Sequence, residues 1–453
     1  MLESSGKSST IREIASKNLA IFVFNRATYS RCKMLIRYIH EHPNMDISVF
    51  LSGSIGKDEF GKTGYIGNDF KTVKFFDFPI TGYDGTSIGA IGASSQIMTS
   101  VGSFLAGNKF DAAIVVGDRF ETLPCALACA HQGVPIIHIQ GGETTGSIDE
   151  KIRHSVTKLS DYHFCATSMA KKYLIRMGED RSRVFNVGCP SIDILRSKIH
   201  TRSVAKNRYI ISLFHPDTDN QDAGRSHVRD LLSANIKFCA EYGHQCYWFW
   251  PNPDYGRLGI IDELDDVFDK NEDILIPMLN SSPEEFLSLL AQSRMIVGNS
   301  SAGLREAGYL GVPCINIGNR QGLRERSWNV VDIPSPDSDS ILSAMKDQHE
   351  VKRYPGSHLY GDGRSCHYIM AHLEKMVPTK KRGITYPLSM EFRDSHLGEA
   401  RFVNHTAKGS KRTMLKSLTG KRASVSRQPV NNQRSMAESD SGVIGHPSQT
   451  GSD

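Results

Sequence analysis

Residues 111–160 read DAAIVVGDRFETLPCALACAHQGVPIIHIQGGETTGSIDEKIRHSVTKLS. An apolar run, Ala112 to Val116, stops at Gly117-Asp118-Arg119. A helix-like stretch follows, and a second apolar run, Val134 to Ile139, stops at Gln140-Gly141-Gly142-Glu143. Short apolar runs that close on Gly beside charged residues read as buried parallel strands, with chemistry at their carboxyl ends. In open α/β sheets ligands bind outside those ends. The reading therefore places Asp118, Arg119, Glu143, Asp149, Glu150, Arg153 and His154 close to one mouth.

The same rhythm extends in both directions. Upstream, Asn18 to Phe24 reads as a first strand ending at Asn25-Arg26, residues 28–42 as a helix, and Ile47 to Leu51 and Val73 to Phe76 as further strands. The Gly/Ser/Ala-rich stretch 85–107 reads as a helix packed closely on its neighbours. Downstream, Tyr162 to Ala166 and Val184 to Val187 complete a doubly wound α/β domain over 17–195. Residues 193–207 turn polar and basic and read as a linker. A second alternating series fills 207–350, with strands at Tyr209 to Phe214, Cys246 to Trp250, Ile274 to Ile276, Met295 to Val297 and Cys314 to Ile317. Its helix at 283–292 starts with Pro283 and two glutamates, which suit a first turn. One more helix falls at about 364–376.

Composition narrows the class. The chain has 453 residues, 39% hydrophobic and 23% charged, enough for two full cores. No apolar run approaches the roughly 18–20 residues that span a bilayer. The first sixteen residues are a polar extension without the apolar core of a secretory signal, so a cytoplasmic location is expected. The nine cysteines form no CxxC pair, and neither a metal site nor a redox site is expected. Residues 396–453 hold nine Lys/Arg against four Asp/Glu, the entire net charge of +5. The body is neutral, so no nucleic-acid partner is expected. Beyond about 387 the composition becomes that of a disordered, basic, low-complexity tail over 388–453.

Several strand ends carry candidate anion ligands. Residues 298–306, GNSSAGLRE, lie between a strand and a helix, where Ser300 and Ser301 can present N–H and O–H groups to a phosphate or simply cap the helix. Arg320, just past the strand at 314–317, suits paired phosphate contacts or a solvated loop. His215 ends a strand in Phe-His-Pro-Asp and could donate to a diphosphate, act as general acid, or be satisfied by backbone in a turn. Arg26 and Ser30 could hold an anion. Walker and dinucleotide fingerprints are missing where they would be needed, which disfavours ATP and NAD chemistry. Two α/β domains presenting anion-binding strand ends to one cleft suit a nucleotide diphosphate.

The motifs NRATYSR, GDRFE, HIQGGETTGSIDEKIRHSVTKLS, GCPSID, FHPDT, PNPD, GNSSAGLREAGYLGVPCINIGNRQ and YGDG occur in this order over residues 17–376. In that combination the chain resembles the UDP-N-acetylglucosamine 2-epimerase family, in its hydrolysing, sialic-acid-pathway branch. The resemblance implies a GT-B fold, two Rossmann-like domains around a cleft, with a last helix within 357–378 crossing back to the first domain. It implies UDP contacts from Arg26, Ser30, Arg119, His215, Asn252, Ser300, Ser301, Glu306 and Arg320, with Glu306 on the ribose hydroxyls. No cofactor, metal, nucleic acid or membrane is implied; a homodimer or homotetramer is. The implied reaction converts UDP-N-acetylglucosamine and water to N-acetylmannosamine and UDP through loss of the C2 proton, elimination of UDP and hydration. Asp118 and Asp149 match family carboxylates, and Arg119 and His215 are placed to stabilise the leaving group.

Two residues depart from the family pattern: Thr28, where Asp or Glu often follows the Arg-Ala pair, and Gln140, which bears on the chemistry. Where HIEGGE is common, with a catalytic Glu, this chain has Gln140. An amide cannot take a proton, so Gln140 can orient a group but cannot be the base. Asp118, Glu143 or Asp149 does that work, or the substrate is another UDP-aminosugar of the diacetamidobacillosamine type, or the chain binds a UDP-sugar with impaired catalysis. A non-hydrolysing epimerase or a glycosyltransferase is the other catalytic alternative, and GDRFE with IRHSVTK favours the hydrolysing branch.

Overall fold

A computed structural model describes residues 16–381, apart from 54, 56–65, 67, 68, 199–207, 217–220, 253 and 280. The extension before residue 16, most of the expected linker and the whole 388–453 tail lie outside the described residues.

Two parallel sheets organise the chain. The first contains β1 (Lys17–Val23), β2 (Met45–Gly53), β3 (Lys74–Pro79), β4 (Ala112–Val116), β5 (Ile136–Ile139), β6 (Tyr162–Cys165) and β7 (Val184–Asn186), in the order β3-β2-β1-β4-β5-β6-β7. The second contains β8 (Tyr209–Leu213), β9 (Gln245–Phe249), β10 (Leu275–Met278), β11 (Ile296–Gly298), β12 (Cys314–Ile317) and β13 (Val330–Ile333), in the order β10-β9-β8-β11-β12-β13. Both are doubly wound, with their order reversing between β1 and β4 and between β8 and β11. Crevices at such reversals are where this architecture holds ligands.

The apolar runs form strands because each has two layers to fill. Along β1 and just beyond it, Leu19, Ile21 and Val23 enter one core with Tyr29 and Leu35, while Ala20, Phe22 and Phe24 enter another with Phe50. β4 divides likewise, with Ala112, Ile114 and Val116 on one side and Ala113 and Val115 on the other. Burying each of the larger aliphatic side chains contributes roughly 1.5–3 kcal/mol, enough to hold the strand ends, and the loops they carry, in register. All nine cysteines are buried and free.

Helix starts are equally explicit. Asn25 caps the helix Arg26–His40 by accepting the Thr28 N–H at 2.9 Å, which fixes the loop after β1. Ser282 and Glu285 form a reciprocal capping box ahead of Pro283 in the helix Pro283–Gln292. The helix Ser365–Lys375 buries Cys366, Ile369, Met370 and Leu373 in the same core as Leu19 and Leu35. Its first two N–H groups, on Ser365 and Cys366, donate to the Asp193 carboxylate at 2.9 and 2.7 Å.

Three elements depart from the sequence reading. Residues 193–198 belong to a helix, Ser191–Lys198, because Ile192, Ile194 and Leu195 all turn inward beneath the polar positions. β13 is a short strand, VVDI, paired only with β12 and too brief to show a pattern. The helix Ser87–Gly107 packs through Ala93, Ile97, Val101 and Leu105, but its first turns are not closely packed, with Ile88 and Ile91 exposed and Ile91 beside the cleft.

Candidate functional site

The C-terminal half of the site sets neutral donors beside the charged Asp254, Glu306 and Arg320. Gly298 closes β11 at φ 141°, and a Cβ there would overlap the Leu213 carbonyl, so only glycine lets the chain pass. Asn299 follows and grips His215 by both main-chain groups, accepting its N–H at 2.7 Å and donating to its C=O at 2.8 Å. His215 Nδ1 accepts the Asn252 N–H at 3.3 Å, which leaves Nε2 to carry the proton. Burial, with Arg320 close by, pushes the imidazole down to about 3, so His215 works as a neutral donor. Ser300 and Ser301 enter a 3-10 turn, and Ser300 Oγ accepts the Ala302 N–H at 3.3 Å. Glu306 opens the next helix, and its Oε1 accepts from Ser191 Oγ at 2.5 Å.

The N-terminal half is ionic. Arg153, fully buried, donates to Asp118 through Nε at 3.0 Å and again through Nη2. Burial alone would raise the Asp118 carboxyl, but Arg153, Arg324 and Arg31 outweigh it and hold it far below the usual range. Asp149 differs sharply. It sits in the first turn of the helix Ile148–Leu159, and its nearest cation, Arg320, is 4.0 Å away. Burial and the neighbouring Asp118 charge push it up to about 6. One carboxylate is locked in its charged form, and the other is poised to exchange a proton near neutrality.

Glu143 is a structural clamp in this arrangement. Its Oε2 accepts from Arg305 Nη2 at 2.5 Å and from Arg324, both in the C-terminal half, and Arg153 Nη1 donates to its main-chain oxygen at 2.6 Å. Against the penalty of burial, Arg305, Arg324 and Arg153 bring its carboxyl down to about 2. Gln140 stands behind the cleft. At φ 67° it is the one non-glycine residue with positive φ among the described residues, and its Nε2 donates to Cys189 Sγ at 2.8 Å. Gly142, two residues on, is at φ 81°, where a Cβ would lie 2.5 Å from the Ala170 carbonyl.

The two halves enclose two adjoining cavities that share Ala27, Arg31, His215, Asn252, Ser300 and Ser301. The smaller, about 130 Å³, has Arg26, Ser30 and Glu306 among aromatic walls of Phe249, Trp250 and Phe286. The larger, about 420 Å³, holds Asp118, Arg119, Asp149, Asp254 and Arg320, facing an apolar wall of Ile91, Ile148 and Ile152. The structure thus brings all nine expected binding residues, with Asp118 and Asp149, to one place. Gln140 and Glu143 line neither cavity.

Sequence reading missed Arg31 and Asp254. Arg31 follows Ala27 by four residues, so helical spacing sets it on the same face. Among the described residues Arg31 makes no hydrogen bond or ion pair, and burial lowers its pKa. A guanidinium left in this way at the junction of two cavities is a ready anion ligand. Arg26 instead donates to the Leu279 carbonyl at 2.7 Å, and Arg119 already contacts Glu121 and Asp254.

Fold and cleft together define an α/β protein of the GT-B class, two Rossmann-like sheets whose loops meet over one divided cavity. Comparison with known proteins makes this specific. The chain belongs to the UDP-N-acetylglucosamine 2-epimerase family, whose profile matches residues 37–374. It is 31% identical over 369 residues to a hydrolysing UDP-N,N'-diacetylbacillosamine 2-epimerase of Legionella pneumophila, covering 76% of this chain and 93% of that protein. It is 32% identical over 330 residues to polysialic acid biosynthesis protein P7 of Escherichia coli, covering 70% and 83%. Among solved structures, the UDP-GlcNAc 2-epimerase of Neisseria meningitidis bound to UDP-GlcNAc superposes with a TM-score of 0.64 at 18% identity, over 80% of this chain and 100% of that one.

Proposed function

We propose that the chain is a hydrolysing 2-epimerase of a UDP-linked 2-acetamido sugar, converting UDP-N-acetylglucosamine and water to N-acetylmannosamine and UDP. The observation that carries this reading is Asp149, a cleft carboxylate raised to about 6 opposite a wall of anion donors. Deprotonating a carbon beside the acetal centre needs a base that is ionised yet not stabilised by a tight cationic partner. Asp118 fails that requirement through Arg153, whereas Asp149 meets it.

In this mechanism the uridine occupies the smaller cavity, with Glu306 accepting from the ribose hydroxyls. The diphosphate lies at the shared wall of Ser300, Ser301, His215 and Arg31, and the sugar occupies the larger cavity. Asp149 takes the C2 proton, the C2–H electron pair becomes the C1=C2 bond, and the C1–O bond breaks with its electrons leaving on UDP. The neutral His215 donates its Nε2 proton in a hydrogen bond to the departing phosphate, and arginines meet its charge. Water then adds to the C1=C2 bond from the face opposite Asp149, its hydroxide going to C1 and its proton to C2. Asp149 releases the proton it took to solvent, giving the free 2-epimer. Asp118, held in place by Arg153 and Arg324, orients the sugar or the water.

A second reading is that the sugar is of the 2,4-diacetamido type. Gln140 in place of the family carboxylate, the bacillosamine activity named for the Legionella relative, and the apolar wall of Ile91, Ile148 and Ile152 favour it. NMR in heavy water tests both. UDP release with N-acetylmannosamine deuterated at C2 supports the first reading. Turnover of the diacetamido substrate alone transfers the assignment to the second, and binding without turnover of either defeats the catalytic proposal.

A further inference from the structure

Arg119 lies in the loop after β4 on the N-terminal side of the cleft, and two carboxylates already hold it. Glu121, itself buried, accepts Nε at 3.1 Å and Nη2 at 3.2 Å. Asp254 takes Nη1 from across the cleft. Asp254 belongs to the loop after β9, on a tight turn in which its N–H donates to the Asn252 carbonyl at 2.8 Å and its own carbonyl accepts the Arg257 N–H at 3.1 Å. Its carboxylate lines the same cavity as Asp149, His215 and Arg320, and no step of the mechanism above uses it.

A diphosphate at the shared wall changes the environment of this pair. It brings like charge toward Asp254 and its own oxygens toward the Arg119 edge that Asp254 occupies. Glu121 holds the other edge of the guanidinium, so Arg119 stays aimed at the cleft whichever anion takes Nη1. Forked guanidinium contacts to carboxylate and to phosphate have the same geometry, so one can replace the other without rebuilding the site.

We propose that Asp254 is a stand-in anion: without substrate it holds Arg119 across the cleft, and on binding it yields that contact to a phosphate of the UDP-sugar. The inference rests on the UDP-sugar reading and assigns Asp254 a positioning role. It keeps Arg119 preorganised for the charge that develops on the leaving group. By competing again for Arg119 after the reaction, it speeds release of UDP.

The test is Asp254→Asn in the full chain, which keeps shape and removes charge. UDP, titrated calorimetrically at fixed salt, should bind the variant roughly tenfold tighter than the wild type, the scale of one charge interaction in a partly solvated cleft. KM and kcat should fall together, because product leaves more slowly. Uridine, which lacks phosphates, should bind both forms equally. UDP affinity that is unchanged or weaker in the variant, or an equal gain for uridine, overturns the exchange while leaving the epimerase reading intact. UDP binding by neither form defeats both. A structure of the wild-type chain with UDP gives an answer independent of the variant's folding: Arg119 should lie on a phosphate oxygen with Asp254 out of hydrogen-bond reach, and a retained Arg119–Asp254 pair overturns the proposal.

Discussion

The two mouths of the cleft sit on sheets of matching winding, yet ion pairs dominate the first while the second sets neutral donors among its charged groups. The loops after β4 and β5, with the helix Ile148–Leu159, carry Asp118, Arg119, Glu143, Asp149 and Arg153, nearly all paired ions. The loops after β8 and β11 carry Asn299, Ser300, Ser301 and a histidine held neutral. Proton transfer needs groups whose charge can change, and those lie on the first sheet. Retention of an anion draws on the neutral Ser300, Ser301 and His215 of the second sheet together with cations from both, Arg31 and Arg119 from the first and Arg320 from the second. The fold places both sets at its switch points, while the loops decide what each does.

The largest expected effect comes from removing the one poised group. Asp149→Asn should lower kcat by roughly 10³- to 10⁴-fold, the upper range for a general base, with UDP affinity changed by less than about threefold. In the wild type, kcat should fall tenfold per unit as pH drops below about 6, because Asp149 must be ionised to act and its proton is held up to that value. A kcat loss under about tenfold in the variant would move the base elsewhere and break the division between the two mouths.

Next is Glu143, where the halves are clamped. Glu143→Ala leaves Arg305 and Arg324 buried without their acceptor and should cost about 3–5 kcal/mol of stability, read from the urea midpoint. A loss near zero would show that the arginines find other partners. His215→Ala should cost roughly 10- to 100-fold in kcat, as one oriented donor to developing charge is lost. The acidic limb of the pH profile should not move, because His215 at about 3 is already neutral throughout that range. A limb that shifts with this variant would make His215, not Asp149, the titrating group.

Much of this was legible in the sequence, for identifiable reasons. Apolar runs stopped by glycine or by a polar residue located β1, β4, β5, β8, β11 and β12, since a strand buried on both faces has nothing polar to interrupt it. The same logic failed at β13, an edge strand of four residues with Asp332 in it. Asp118, Asp149 and His215 follow strand ends or open a helix, and they reach the cleft. Glu143 follows a strand end too, but Arg305 and Arg324, which claim it, are 162 and 181 residues away in the chain. Periodicity cannot reveal a partner at that separation. Arg31 was within reach, since residues 27, 30 and 31 share a helical face.

The smallest expected effect is at Gln140, and it tests the comparison most directly. Its amide is buried behind the cleft against Cys189, which in turn contacts Ser191 at 3.0 Å and, through it, Glu306. Gln140→Glu restores the family carboxylate without a change of size or of backbone demand, since both residues bear the cost of φ 67° alike. Arg31 and Arg305 both act on the Cys189 site, so a charge there has cations to meet it. If Asp149 is the base, kcat for UDP-N-acetylglucosamine should change by less than about tenfold, and the acidic limb should keep its position. A larger gain, with a new limb, would show that the proton leaves toward position 140. The chemistry would then extend behind the wall that now separates Gln140 from the cleft, and the native substrate would be one that needs no base there.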